Sequence, residues 1–205
     1  MKLMHEEILF GASELSRIPA LADCLHDIRQ AAKGVVWPAG TRRFTINPVI
    51  DGNGVLPIKA GFLKKLRDLN WRLEERPMLV QGLGPGKVDA LKSTGDGRQF
   101  AAEWETGNIS SSHRALNKMC VGILQGHLAG GVLILPDREL YNYLTQRIGN
   151  FRELAPYFPV YRNLRISGGV LAVFSVSYDR TSKTVALIPK GPDGNSLKRR
   201  TIQPH

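Results

Sequence analysis

Apolar residues recur at intervals of three and four in several stretches of the chain, which is the spacing of one face of an α-helix. This pattern predicts helices over residues 11–33, 59–75 and 109–125. Gly34 is placed to end the first helix, and Pro77 limits the second because proline cannot continue a helix. A fourth helix is predicted to begin at Pro136 and to run through Ile148, since proline is favoured at the first helical position.

Shorter apolar runs bounded by Gly, Pro, Asn and Asp predict strands. They lie near residues 44–46, 87–91, 99–105, 169–177 and 184–188. The sequence GGVLILP predicts a further buried strand, and STGDG is typical of a turn that joins the second and third strands as a hairpin. Helices that alternate with strands favour an α/β fold, and we predict one domain over residues 1–205 with a mixed central β-sheet flanked by helices.

Charge adds information that the apolar pattern lacks. The 205 residues include 28 Lys and Arg against 18 Asp and Glu, a formal net charge of +10. Such a field attracts polyanions, of which nucleic acid is the commonest. A basic surface without a polyanionic partner is the alternative that charge alone leaves open.

The cysteines and the apolar runs indicate the cellular compartment in which the protein is found. Cys24 and Cys120 lie far apart, so the chain has neither a disulfide framework nor a metal-type cysteine spacing. The sequence MKLMHEEILF lacks the pattern of a signal peptide, and the apolar runs are too short to cross a bilayer. We therefore expect a protein of a reducing cytoplasm with no membrane partner.

The candidate chemistry is in FAAEWETGN, residues 100–108, where two glutamates flank a tryptophan. In a strand, Glu103 and Glu105 would share one face, about 7 Å apart, and the predicted hairpin would bring Asp89 of the preceding strand beside them. Clustered carboxylates suit Mg²⁺, which polarises a phosphate and activates water for hydrolysis. The alternative is that both glutamates are solvated residues of an edge strand, because E-x-E alone is a weak motif.

A polar and cationic helix start, TGNISSSHRALNK, follows the acids directly. Helix N-termini bind phosphates, and Asn and Arg side chains pair with the edges of bases. Carboxylates beside such a helix predict a nuclease that acts on DNA. Two other classes stay open: a basic dimeric DNA-binding protein without catalysis, and a glycoside hydrolase with a carboxylate pair, although the latter leaves the charge unexplained.

The sequence EWETGNISSSHRALNKM, residues 103–119, resembles the active-site strand and helix of the BamHI family of type II restriction endonucleases. The resemblance continues through WPAGTRRFTIN, NGVLPIK, YLTQRIGNFRELAPYF and LIPKGPDG. It implies a restriction-endonuclease-like fold of the PD-(D/E)XK type, with glutamate where many related nucleases carry lysine. It also implies a homodimer that uses Mg²⁺ to hydrolyse both strands of double-stranded DNA at GGATCC, leaves 5′ overhangs, and is paired with a DNA methyltransferase.

The resemblance further implies the catalytic residues. The metal ligands would be the carboxylates of Glu75, Asp89 and Glu103 and the backbone carbonyl of Trp104, and Glu105 would be the general base. Glu74 stays open as the alternative to Glu75, because the segment after Trp71 is one residue longer here than in the family.

The same resemblance implies the residues that contact DNA. They would be Asn108, Ser110, Arg114, Gln146 and Arg147 in the major groove, with Gly191 and Asp193 in a minor-groove arm. Gln146 stands where the family has an aspartate that accepts a hydrogen bond from cytosine. A glutamine carbonyl can accept the same bond, but its amide also donates, so the outer G·C pairs are where recognition could differ.

Overall fold

The computed structural model describes residues 1–74 and 87–191 of the chain. Its strands are β1 (Lys2–Phe10), β2 (Thr45–Ile46), β3 (Arg72–Leu73), β4 (Ala90–Ser93), β5 (Gln99–Trp104), β6 (Leu128–Pro136), β7 (Val170–Ser177) and β8 (Arg180–Thr181). Its α-helices are α1 (Glu14–Arg17), α2 (Pro19–Lys33), α3 (Leu56–Asp68), α4 (Ile109–Leu124), α5 (Arg138–Tyr141), α6 (Phe151–Leu154) and α7 (Phe158–Arg162), with a 3-10 turn at Ala155–Tyr157.

Six of these strands form one sheet in the order β1-β7-β6-β5-β4-β3. The pairs β5–β6 and β6–β7 are parallel and the other three pairs are antiparallel, so the sheet is mixed, as predicted. Every residue of β6 and β7 is buried. β6 is accordingly a continuous apolar run, and β7 is one up to Phe174, beyond which Ser175 and Ser177 are buried polar residues. A separate pair, β2 and β8, is parallel.

Helices cover both faces of the sheet. Alternate residues of β6 face opposite ways: Val132 belongs to the core that contains α2 and α3, whereas Leu133 belongs to the core that contains α4 and α7. The apolar stripe of α4, which includes Leu116 and Met119, is therefore part of the chain's own core. The predicted α/β class with helices flanking a mixed sheet is confirmed.

Three of the predicted helices differ from the structure. The helix over 11–33 is two helices, because Pro19 begins the second one. The helix over 59–75 is α3, and it ends early because Asn70 takes a left-handed conformation, with φ of 64°, that turns the chain into β3. Pro136 ends β6 instead of beginning a helix. Within the range 136–148 the helix is limited to α5, which is capped by the side chain of Asp137.

The structure confirms some of the predicted strands and contradicts others. The hairpin is confirmed, with Ala90 opposite Ala102, and Thr45–Ile46 is a strand. The strand near 184–188 is wrong, since β8 lies earlier in the chain. β1, α6 and α7 were not predicted at all. No helix among the described residues is long and apolar enough to span a membrane.

The topology places the site at one edge of the sheet. β5, β6 and β7 are parallel, so their carboxyl ends meet at the same edge, and the chain passes from β5 to α4 there. Asn108 is the N-cap of α4, and its side chain accepts a hydrogen bond from the backbone of Ser111. The carboxylates at the end of β5 and the first turn of α4 are thereby held side by side.

Candidate active site

Asp89 precedes β4 and is held by two neighbouring elements. Its Oδ2 accepts a hydrogen bond from the backbone N–H of Trp104, at 2.7 Å, which draws the carboxylate toward the end of β5. Its Oδ1 lies 2.5 Å from Nζ of Lys59 on α3, and both side chains are largely buried. The attraction between two charges removed from water in this way is larger than on the surface, and loss of either partner would leave the other charge buried without compensation.

Glu103 forms an ion pair with Lys118 of α4, and its side chain is 13% exposed. Burial raises the pKa of Glu103, and the nearby charge of Asp89 raises it further, while Lys118 and Lys59 act in the opposite direction. Asp89 and Glu103 are thus close enough to repel each other, and a cation between them would stabilise both.

Glu105 is held by a different set of contacts. Only 6% of the residue is exposed, its Oε2 accepts a hydrogen bond from Oγ of Ser112 at 2.7 Å, and its Oε1 accepts one from the backbone N–H of Gly107 at 2.5 Å. β5 lies between β4 and β6, so the alternative of solvated glutamates on an edge strand is wrong.

The three carboxylates do not converge on one point as the hairpin predicted. Within residues 1–74 and 87–191, no group of three or more His, Cys, Asp or Glu side chains is placed to hold a metal ion. Asp89 and Glu103 form a pair, whereas Glu105 is turned to Ser112. The pair still fits Mg²⁺, which binds through one or two carboxylates and completes its shell with waters and substrate phosphate.

Two further groups were predicted to bind Mg²⁺, namely the backbone carbonyl of Trp104 and the carboxylate of Glu75. The side chain of Trp104 is buried against Phe62, which fixes the backbone between Glu103 and Glu105. Glu75 lies outside the described residues. Its alternative, Glu74, is exposed, and its backbone N–H donates to the backbone carbonyl of Asp89 at 2.9 Å.

A cleft of about 300 Å³ opens beside the carboxylates, and we call it the carboxylate cleft. Its charged lining residues are Lys59, Lys87, Glu103, Glu105, Arg114 and Lys118. Four cations around two carboxylates suit a phosphodiester, because the cations attract the phosphate and carboxylates are groups that can bind a metal ion or accept a proton.

A second cleft, of about 350 Å³, adjoins the first, and we call it the recognition cleft. Four residues predicted to contact DNA lie in its wall: Asn108, Gln146, Arg147 and Gly191. Thr106 and Gly107 line both clefts, so the two are separated by a single turn of chain. Ser110 is exposed on the first turn of α4, and Asp193 lies outside the described residues.

Residues 145–149, the recognition segment, form a loop rather than the helix end that the sequence predicted. Arg147 has φ of 69°, a left-handed conformation that is strained for a non-glycine residue. The loop is anchored on both sides, by the N–H of Thr145 on the carbonyl of Asn53 and by the N–H of Gly149 on the carbonyl of Gly107. Strain held between two anchors is characteristic of functional sites.

Several residues of the site were missed by sequence reasoning. Lys59 carries no local signal, since it lies thirty residues before its partner Asp89. Asp51 binds the side chain of Gln146 across an even longer interval. Ser112 is part of the polar helix start TGNISSSHRALNK, and its spacing is the signal that could have found it: it lies seven residues after Glu105, on the face of α4 that carries the apolar residues.

Comparison with solved structures identifies the fold. The structure is similar to the crystal structure of the restriction endonuclease BglII complexed with a DNA 16-mer, with a TM-score of 0.61, 93% of this chain and 90% of that chain covered, and 9% sequence identity. At that identity the likeness is one of fold, and the fold is that of a restriction endonuclease.

Sequence comparison is more specific. The model of the family "Restriction endonuclease BamHI" matches residues 1–195. The type II restriction enzyme OkrAI of Oceanobacter kriegii is 47% identical over 198 residues, which are 97% of this chain and 100% of that protein. The type II restriction enzyme BamHI of Bacillus amyloliquefaciens is 33% identical over 207 residues, 97% of this chain and 94% of that protein.

The chain therefore belongs to the BamHI family of restriction endonucleases. The resemblance predicted from EWETGNISSSHRALNKM is confirmed, and the class, a type II restriction endonuclease that cuts DNA, is confirmed with it. The glycoside hydrolase alternative has no support from fold or family.

Proposed function

We propose that this protein is a Mg²⁺-dependent endonuclease that recognises GGATCC as a homodimer and hydrolyses both strands of the duplex. The observation that supports the proposal most directly is the adjacency of the two clefts. The carboxylate cleft and the recognition cleft share Thr106 and Gly107, so a bound duplex can present a backbone phosphate to one and base edges to the other.

Asp89 and Glu103 would hold the Mg²⁺ ion at the side of the carboxylate cleft where Glu103 lines the wall. When bound, Mg²⁺ polarises the phosphate and offsets the charge that develops on the leaving oxygen. Glu105, oriented by Ser112 and Gly107, accepts a proton from the attacking water. Lys87, in the cleft wall, attracts the phosphate to this position.

Base recognition is assigned to the start of α4 and to the recognition segment. Asn108 and Arg147 present the side-chain types that pair with adenine and guanine edges, respectively. Gln146 replaces the family's aspartate, and its Nε2 donates to Oδ2 of Asp51 at 2.8 Å. This bond uses one of the two amide hydrogens and orients the side chain, which supports the carbonyl oxygen of Gln146 as the acceptor for cytosine and favours unchanged outer G·C pairs.

A homodimer is proposed because a palindromic site is read by a two-fold symmetric protein. Exposed apolar residues on the α4 and α7 side of the sheet, namely Val121, Leu124, Tyr157 and Val160, give that side a surface suited to a second copy. An enzyme with this specificity would cut its host genome, so we propose a DNA methyltransferase as its functional partner, in the bacterial cytoplasm.

Digestion of a mapped plasmid tests the proposal. With Mg²⁺ we expect cleavage at each GGATCC site, and sequencing of the fragment ends should show 5′ overhangs. Control reactions contain a chelator in place of Mg²⁺, or a plasmid whose GGATCC sites each carry one changed outer base pair. Specific binding with no cleavage under any divalent cation would instead support the DNA-binding protein without catalysis.

A further inference from the structure

Ser112 is a fully buried serine whose only described side-chain hydrogen bond goes to Glu105. Together with the N–H of Gly107, it places a donor on each carboxylate oxygen of Glu105. A carboxylate with a donor on each oxygen has a fixed orientation, because rotation of its plane would break one of the two bonds.

The recognition segment also contacts the hydroxyl group of Ser112. A side chain at position 149 would begin 2.5 Å from Oγ of Ser112, so only glycine leaves room for that hydroxyl. The N–H of Gly149 also donates to the carbonyl of Gly107, at 2.8 Å. The segment that carries Gln146 and Arg147 therefore contacts both residues that donate to Glu105: it packs against the hydroxyl of Ser112 and donates a hydrogen bond to the carbonyl of Gly107.

We propose that Ser112 is the positioning residue for Glu105, and that Gly149 keeps its hydroxyl in place, which couples the recognition segment to the catalytic carboxylate. This inference rests on the proposed function of Glu105 as proton acceptor. Ser112 contacts neither the phosphate nor a base in this account; it acts on the rate through the orientation of Glu105.

The test is a double-mutant cycle measured by single-turnover cleavage of a GGATCC duplex with saturating enzyme and Mg²⁺. Ser112→Ala should slow cleavage about 10- to 100-fold, the range expected when a catalytic group moves by a fraction of an ångström to an ångström. Gly149→Ala should slow it similarly by displacing the hydroxyl. The double variant should be no slower than Ser112→Ala, because removal of the hydroxyl makes room for the new methyl group.

Binding and stability are measured alongside the rate. The Kd for the duplex without metal should stay within about twofold of the wild type in both variants, since no base contact changes. Ser175→Ala is the matched control: Ser175 is also fully buried, its hydroxyl has no partner among the described residues, and its variant should cleave at the wild-type rate. If Ser112→Ala does not fold, Gly149→Ala still tests the proposal, because it removes no hydrogen-bonding group.

The outcomes separate this inference from the function on which it rests. A wild-type protein that does not cut DNA refutes the proposed function. A cutting wild type whose Ser112→Ala variant is equally fast overturns the positioning role, and so does a rate loss matched by an equal loss of binding. If Gly149→Ala slows cleavage by the same factor with and without Ser112, the coupling through the hydroxyl is overturned.

Discussion

The side-chain amide of Gln146 donates to the carboxylate of Asp51, with 2.8 Å between Nε2 and Oδ2, although the two residues are 95 positions apart. Because of this bond, the amide nitrogen and the carbonyl oxygen of the Gln146 side chain have different roles. One of its two amide hydrogens is bonded within the protein, and its carbonyl oxygen remains to accept a hydrogen bond. Asp51 also restores to this place the negative charge that the family's aspartate would supply.

Removal of the Asp51 carboxylate should relax discrimination at the outer base pair. Asp51 has φ of 54°, so Asp51→Gly removes the carboxylate without backbone strain. The released amide of Gln146 could then donate to other bases, and we expect preference for the outer G·C pair to fall by about 1–3 kcal/mol. Competitive cleavage of GGATCC and outer-pair variants measures this, with Asp51→Asn as the control that keeps an acceptor. Unchanged preference in Asp51→Gly would remove Asp51 from recognition.

Replacement of Glu105 should separate cutting from binding. Glu105→Ala removes the proposed proton acceptor and no base contact, so cleavage should fall by about 10²- to 10⁴-fold while specific binding persists. Glu105→Gln keeps the shape of the side chain and most of its contacts with Ser112 and Gly107, and should also be inactive. Single-turnover rates and gel-shift titrations check both, and near-native cleavage by either variant would refute the role.

Arg114 should contribute to discrimination at one base pair. It is exposed on α4 and lines the carboxylate cleft next to the recognition cleft. Arg114→Ala should lose about 1–3 kcal/mol of preference at that pair, measured by cleavage rates on duplexes with each single substitution. Arg17→Ala is the control, because Arg17 is an exposed arginine in α1, which follows β1 at the opposite edge of the sheet. A uniform loss across all duplexes would instead make Arg114 a phosphate contact.

Asp137 should make stability depend on pH in a defined direction. Burial raises the pKa of Asp137, so the folded state binds its proton more tightly than the unfolded state does. This contribution to stability is complete below the ordinary pKa of an aspartate and is lost as pH rises through the raised value. Asp137→Asn keeps the N-cap of α5 and removes the buried charge.

We therefore expect Asp137→Asn to exceed the wild type in free energy of unfolding near neutral pH, with the difference closing in acid. Urea unfolding of both proteins across this pH range measures the difference. Parallel stability curves for the two proteins would show that the Asp137 carboxyl does not titrate differently in the folded state.

Local patterns in the sequence determined a large part of this protein. The period of 3.6 residues identified α2 and α4, and short apolar runs bounded by turn residues identified the β4–β5 hairpin and the buried strand β6, because each signal depends on neighbours a few positions away. The signals of E-x-E and of the polar helix start that follows it are also local, and they identified the family and the class of enzyme.

The tertiary structure decided which residues that are distant in the sequence contact each other. β1 has a charged sequence, and it is a strand because it pairs with β7, while Glu6 and Glu7 bind Arg29 of α2 and Arg162 of α7. The separation of the three acids into an Asp89–Glu103 pair and a Glu105 held by Ser112 depends on where α3 and α4 pack on the sheet. A short-range pattern cannot specify such contacts, because their energy depends on distances in space that exist only once the sheet and its helices have assembled.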